Sequence, residues 1–245
     1  VVRTPPAAQE QTNKRPPPSG LAIFGRCFGG LGMCHQPKEN DEPKMVPMKS
    51  KLKQKDGQPL LHNVPISLAE VIHLQGMDAT AGLSSYLEVY AKEDAVVVQM
   101  LKAHGAITVM RTNVPQTAYF TFGSSNPIFG MTRNPYKFDR SPGGTSSGEA
   151  VMASGRGCLL GVGIDLAGGL RVPAHFCGVC GFKPTSERVS RLGVTVPAEG
   201  QNAVATCVGP ISSEVAGLVA FMKCLCVPLQ HQLDPTVSLA PFSHE

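Results

Sequence analysis

The chain has 245 residues, of which 42% are hydrophobic and 16% charged. That is the composition of a globular core-former, enough for one ordinary domain or two small ones. Its net charge of +4 is unevenly placed: residues 1–58 hold ten Lys/Arg against five Asp/Glu, and the remainder twelve against thirteen. The basic character thus belongs to a leading stretch, and no folded element carries the clustered cations and interleaved aromatics of a nucleic-acid binder. The longest uncharged apolar run falls short of the roughly 18 residues of a membrane span. No Arg/Lys-then-apolar leader opens the chain, so no signal peptide is expected.

Eight cysteines are dispersed along the sequence. Without a secretory leader they read as reduced thiols, not as a disulfide framework. Cys177-Gly-Val-Cys180 is a CxxC pair, but no second pair follows at a zinc-like spacing. Buried core cysteines are the expected role, and no metal or cofactor is implied.

Residues 1–58 are rich in Pro and Lys, with a triple proline at 16–18, and are expected to be a disordered basic leader. Its glycines at 29, 30 and 32 lack the strand–helix frame of a dinucleotide fingerprint. Residues 59–245 are expected to form the folded part. Leu60–Leu68 reads as a short strand pair broken at Pro65. Glu93–His104 places Val97, Met100, Leu101 and His104 on one helical stripe that Gly105 ends. Ala106–Met110 reads as a buried strand, and Gly123–Gly144 as a long loop. Ser146–Ser154 is predicted to be a helix of small residues, with Thr145 or Ser147 near its N-cap. Cys158–Ile164 suits a central strand, and Val179–Phe182 a shorter one. Ser213–Leu225 reads as an apolar helix capped by Ser212 or Ser213, with Glu214 complementing its dipole. Alternating elements of this kind point to an α/β fold, a mixed central sheet flanked by helices.

Chemistry concentrates between Ser141 and Thr185, SPGGTSSGEAVMASGRGCLLGVGIDLAGGLRVPAHFCGVCGFKPT. Gly143-Gly-Thr-Ser-Ser-Gly148 has P-loop-like glycine spacing, but Glu149 stands where a phosphate cradle needs lysine, so nucleotide binding is rejected. Leu166-Ala-Gly-Gly169 follows an apolar strand, and its successive N–H groups suit an anion-holding nest or oxyanion hole. Asp165 and Arg171 bracket that loop as an expected internal ion pair. His175 reads as a core or helix-end histidine, not as a base.

The strings SPGG-TSSGEA and GxGxDxxGGxRxPxxFCGxCGFKPT resemble the amidase-signature family. HNVPISLAE, RTNVPQTAYF, SSNPIFGMTRNPY and LDPTVSLAPF are similar, more narrowly, to its mammalian fatty acid amide hydrolase branch. The resemblance runs over about residues 59–245 and covers only about half of that fold, its N-terminal half. It implies a Ser–Ser–Lys triad, in which lysine acts through a bridging serine on a nucleophilic serine. The three positions here are Ala69, Thr145 and Gly169. Of these only Thr145 keeps a hydroxyl, and glycine cannot form an acyl-enzyme. By the same resemblance Leu166, Ala167, Gly168, Gly169, Thr145 and Ala118 are expected around the substrate and oxyanion. Ala167 replaces a glycine there, which is strained if its φ is positive.

The expectation is therefore a fatty-acid-amide-hydrolase-like protein that is catalytically inactive, a pseudoenzyme or pseudogene-like product. The competing expectations are an active hydrolase of fatty acid amides with its nucleophile relocated to Ser146, Ser147 or Thr145, and a lipid-amide or partner-binding module. A leader that engages an SH3-type domain or an anionic membrane is one form of the last. A lipid amide ligand and pairing with an intact paralogue are the partners the resemblance suggests. It also implies endomembrane association, whereas the lack of a spanning segment makes the cytoplasm an equal expectation.

Overall fold

The computed structural model describes residues 58–119, 122–196, 200 and 203–243. The expected disordered leader therefore lies outside the described residues, as do Cys27 and Cys34. Five strands form the central sheet: β1 (Pro65–Ala69), β2 (Ile107–Thr112), β5 (Leu160–Asp165), β6 (Cys180–Gly181) and β7 (Cys207–Ser212). Their order is β2-β1-β5-β7-β6. β1 runs parallel to both β2 and β5, whereas β7 is antiparallel to β5 and β6. The mixed α/β architecture expected from the sequence is the one observed.

β5 explains how the two faces of the sheet are used. Its sequence Leu-Gly-Val-Gly-Ile-Asp alternates, so Leu160, Val162 and Ile164 project to one side and Gly161, Gly163 and Asp165 to the other. On the large-residue side they join Ile66, Leu68 and Val208 in the main core. That core is closed by Val97, Met100 and Leu101 of α1 (Val96–Ala103) and by Phe221 and Leu225 of α4 (Val215–Leu225). On the glycine side α2 (Ser147–Ser154) lies against the bare backbone: a Cβ on Gly161 would collide with Glu149, and one on Gly163 with Ser146. α3 (Arg171–Phe176) joins α2 on this side, where Leu170, Cys177 and Ile211 pack with Ala150 and Ala153. A short helix α5 (Pro228–Leu233) follows α4, with proline in its first turn, a position where no N–H bond is lost.

Several boundaries differ from the sequence reading, each for a local reason. Leu60–Leu68 is a turn followed by a single strand, not a strand pair: Pro65 opens β1, the position in a strand that tolerates a missing N–H. α1 begins at Val96, three residues late, because Ala95 is extended and donates its N–H to His73. His104 and Gly105 (φ +84°) end it as expected. The long 123–144 loop contains a small hairpin, β3 (Ser125–Asn126) with β4 (Gly130–Met131). The N-cap of α2 is Ser146, and no side chain caps it. α4 starts after Glu214, while the Ser212 hydroxyl accepts the Glu214 N–H and donates to the Leu159 carbonyl. β7 has no counterpart in the sequence reading. Pro210 is tolerated there because its carbonyl, accepting from Phe182, faces the two-residue edge strand β6; the absent N–H faces the same way, leaving the ladder to β5 intact.

The cysteines behave as core residues. All six in the described region are free thiols, and only Cys180 is not fully buried. Burial pushes the Cys177 and Cys224 thiols up to about 12, which keeps them protonated and inert.

Glu149 ties α2 to the sheet from inside. It is fully buried, and the Ser67 and Thr112 hydroxyls donate to its carboxyl oxygens. Burial raises this carboxyl to about 7, against the smaller opposing effect of those two bonds. Because its folded pKa lies above the unfolded value of 4.5, the native state holds its proton between those limits. The contribution of Glu149 to stability is therefore complete below pH 4.5 and is lost as pH rises through about 7, by up to about 3 kcal/mol. Glu149→Gln is expected to flatten this decline and to raise the urea midpoint at about pH 8 relative to wild type. Chemical denaturation at about pH 5 and about pH 8 measures both.

Candidate active site

Because β1, β2 and β5 are parallel, their carboxyl ends meet at one edge of the sheet, and the chain segments leaving that edge gather there. Ala69 ends β1, fully buried and paired with Thr112 at the end of β2. Glu70 follows, and its carboxylate accepts the Thr80 and Ala81 N–H groups. Arg111 donates to the Glu70 and Asp78 carbonyls, stapling the 70–82 segment to β2. Burial pushes the Glu70 carboxyl up, although the Thr80 N–H and the Arg111 charge oppose it.

β2 leads into a turn at Gln116–Ala118, in which Thr117 (φ +66°) and Ala118 (φ +55°) both adopt left-handed backbone. That conformation is costly for a β-branched residue. It is held by the Thr117 N–H to the Ala81 carbonyl at 2.8 Å and the Ala118 N–H to the Pro115 carbonyl at 2.9 Å. The buried Ala118 carbonyl accepts the Thr145 hydroxyl at 2.8 Å.

Thr145 precedes α2 and is buried. Its neighbour Ser146 is spent on architecture: Oγ accepts the Ile164 N–H at 2.9 Å and donates to the Ile164 carbonyl at 3.0 Å. The Ser146 N–H donates to the Gly169 carbonyl at 2.9 Å. Ser147 is buried as well, with a hydroxyl that has no partner among the described residues.

Past β5, the 166–170 loop is wound around Asp165. Oδ1 accepts the Gly168 N–H at 2.8 Å, and Oδ2 accepts the Leu170 N–H at 3.1 Å. Arg171 returns to grip both oxygens, Nε at 2.9 Å and Nη2 at 3.0 Å. The ion pair expected from the sequence is present and bidentate. Burial pushes the Asp165 carboxyl up, but the guanidinium and the loop N–H groups outweigh it and hold it below the usual range. Gly168 takes the positive φ (+103°), whereas Ala167 does not, so its Cβ costs no backbone strain. His175 is exposed at the end of α3, a helix-end residue as read from the sequence.

Thr145 and Gly169 lie against each other. A Cβ built on Gly169 would sit 3.0 Å from Thr145 Cβ, 3.0 Å from its Oγ1 and 2.6 Å from the Ile164 carbonyl oxygen. A side chain at 169 therefore requires the loop or the Ile164 carbonyl to shift. Reading residue types could not reveal this; it follows from how closely the loop settles on β5.

The amidase family pattern matches residues 44–244. The chain belongs to the amidase family. Among curated relatives, the vitamin D3 hydroxylase-associated protein of Gallus gallus is 44% identical over 195 residues, covering 80% of this chain and 42% of that protein. Fatty-acid amide hydrolase 1 of Sus scrofa is 43% identical over 196 residues, 80% of this chain and 34% of the other. Among solved structures, a fatty acid amide hydrolase superposes with a TM-score of 0.73 at 31% identity, covering 76% of this chain and 32% of that one. The native peptide amidase of Stenotrophomonas maltophilia superposes with a TM-score of 0.66 at 29% identity, covering 75% of this chain and 37% of that one. This amidase chain therefore spans well under half the length of the relatives it matches. Among its described residues, no helix is long and apolar enough to cross a membrane.

Two substitutions test the loop. Gly169→Ser is expected to lower stability by about 1–3 kcal/mol, the usual cost of forcing atoms into a packed site; an unchanged denaturation midpoint would contradict the packing described. Asp165→Asn is expected to cost about 2 kcal/mol at neutral pH, discounted because the Arg171 side chain is half exposed. Since the Asp165 pKa lies below its unfolded value of 3.8, that contribution is complete above the unfolded value and is lost as pH falls through the folded pKa. An acid titration of stability should accordingly be shallower in the Asp165→Asn variant.

Proposed function

We propose that this chain is a fatty-acid-amide-hydrolase-like amidase that retains the architecture of a lipid-amide site and does not hydrolyse amides. The observation that carries the reading is the pair Ala69 and Gly169. At the buried end of β1 stands a methyl group, and at the loop beside Thr145 stands a hydrogen. A serine–lysine relay needs an amine at the first position and a hydroxyl at the second. Loss of one member of such a unit lowers kcat by about 10⁴–10⁶, and losses within it are not additive. Backbone donors and binding alone leave roughly 10³–10⁴ over water.

The lipid-amide assignment is supported by likeness to the fatty acid amide hydrolase of pig and to the solved fatty acid amide hydrolase. Relocation of the nucleophile finds no support in the neighbouring hydroxyls. Ser146 is bonded on both sides to Ile164, Ser147 is buried, and Thr145 donates to Ala118.

The decisive experiment combines a fluorophosphonate probe, read by intact mass, with hydrolysis of a long-chain primary fatty acid amide. No adduct and no ammonia above the blank are expected. An adduct mapped to Ser146, Ser147 or Thr145, with matching hydrolysis, would overturn the proposal.

A further inference from the structure

A cavity of about 570 Å³ lies between the Pro115–Tyr119 turn and the 123–142 segment. Its size falls within the range of small-molecule sites. Pro115, Met131, Phe138 and Pro142 are apolar residues of its lining, and the exposed Arg133 and Arg140 are its two cationic ones. Asp139 also lines it, but that carboxylate is 3.7 Å from Lys137 Nζ, which offsets its charge. Arg133 is steadied by one bond from Nη1 to the Phe138 carbonyl at 3.1 Å, leaving its other donors unused by that contact. The lining therefore has a net positive balance over an apolar floor.

Ser124 supplies a second, independent indication. It lines the cavity, is 2% exposed, and its hydroxyl has no partner among the described residues. Its position is fixed by its own carbonyl, which accepts the Thr132 N–H across the hairpin at 2.9 Å. Native proteins seldom leave a buried hydroxyl without a partner, because its lost hydration is not repaid. A ligand atom that accepts a hydrogen bond supplies what is missing. Cations plus a hydroxyl donor above apolar walls select one chemistry, an anionic acceptor on an apolar body.

We propose that this cavity binds a small organic monocarboxylate. Its carboxylate accepts from the Ser124 hydroxyl and pairs with Arg133 and Arg140, and its apolar body lies against Met131 and Phe138. This site is independent of the hydrolytic question, since none of these residues belongs to the Ala69, Thr145 and Gly169 set. The two places are nonetheless joined by the strained turn. Thr117 lines the cavity, and the carbonyl of the next residue, Ala118, accepts the Thr145 hydroxyl.

The test uses the full chain and three probes of equal length: octanoate, octanol and octylamine. Calorimetric titration and thermal shift are expected to show octanoate binding and stabilising, with octanol weaker by about tenfold, the worth of a charge-assisted contact. Octylamine should not bind. Arg140→Ala and Arg133→Ala alter exposed side chains and should each weaken octanoate severalfold without changing the melting temperature of the free chain. Ser124→Ala should raise that melting temperature while reducing the octanoate-induced shift, two opposite signs that a merely structural serine does not produce. Octanol binding as tightly as octanoate, no binding of octanoate, or octanoate affinity unchanged in all three variants would each overturn the proposal.

Discussion

The arrangement at this sheet edge depends on one buried carboxylate. Asp165 ends β5 with its side chain turned to the glycine side of the sheet, where it gathers the Gly168 and Leu170 N–H groups and the Arg171 guanidinium. Without that hub the loop would carry unpaired donors into a region closed by α2 and α3. With it, the Gly169 carbonyl is aimed at the Ser146 N–H, and Ser146 is in turn bonded to β5. Loop, strand and helix form a closed ring of hydrogen bonds centred on one acidic residue.

That ring holds the shape of the site without help from the residues at 69 and 169. None of the contacts just named uses the side chain at 69 or at 169. The scaffold is held by backbone groups, by Asp165 and Arg171, and by the Ser146 hydroxyl bonded to Ile164. Glu149 repeats the pattern one turn deeper, where its carboxyl satisfies Ser67 and Thr112 instead of facing a ligand. Polar residues that look reactive in a string of letters are here largely structural, because the glycine face of β5 lets α2 approach closely enough to spend them.

How much of this could be read from the sequence depended on whether the cause was local. The α1 stripe, the apolar run of β5 and the six-residue spacing from Asp165 to Arg171 are local, and each was legible. The family was legible from the Ser141–Thr185 string, which also located Thr145 and Gly169. β7 was hidden because Gly209 and Pro210 interrupt its apolar run; only the position beside a two-residue edge strand makes that proline harmless. The paired hydrogen bonds of Ser146 to Ile164 and the inward turn of Glu149 were illegible, since contacts between elements leave no periodicity. Ala167 was expected to strain the loop only if its φ were positive, and the positive φ falls instead on Gly168.

The closeness of Gly169 to the Ile164 carbonyl has a consequence for the order in which sequence change can proceed. A serine arriving there meets backbone before it meets substrate, and the methyl of Ala69 offers it no base. On the proposed reading, a serine restored at 169 alone costs folding stability and returns nothing through chemistry. A lysine arriving first at position 69 enters a fully buried site with no hydroxyl to activate. On that reading neither substitution returns activity until the other is in place, so the present pair of residues acts as a ratchet that single changes do not release.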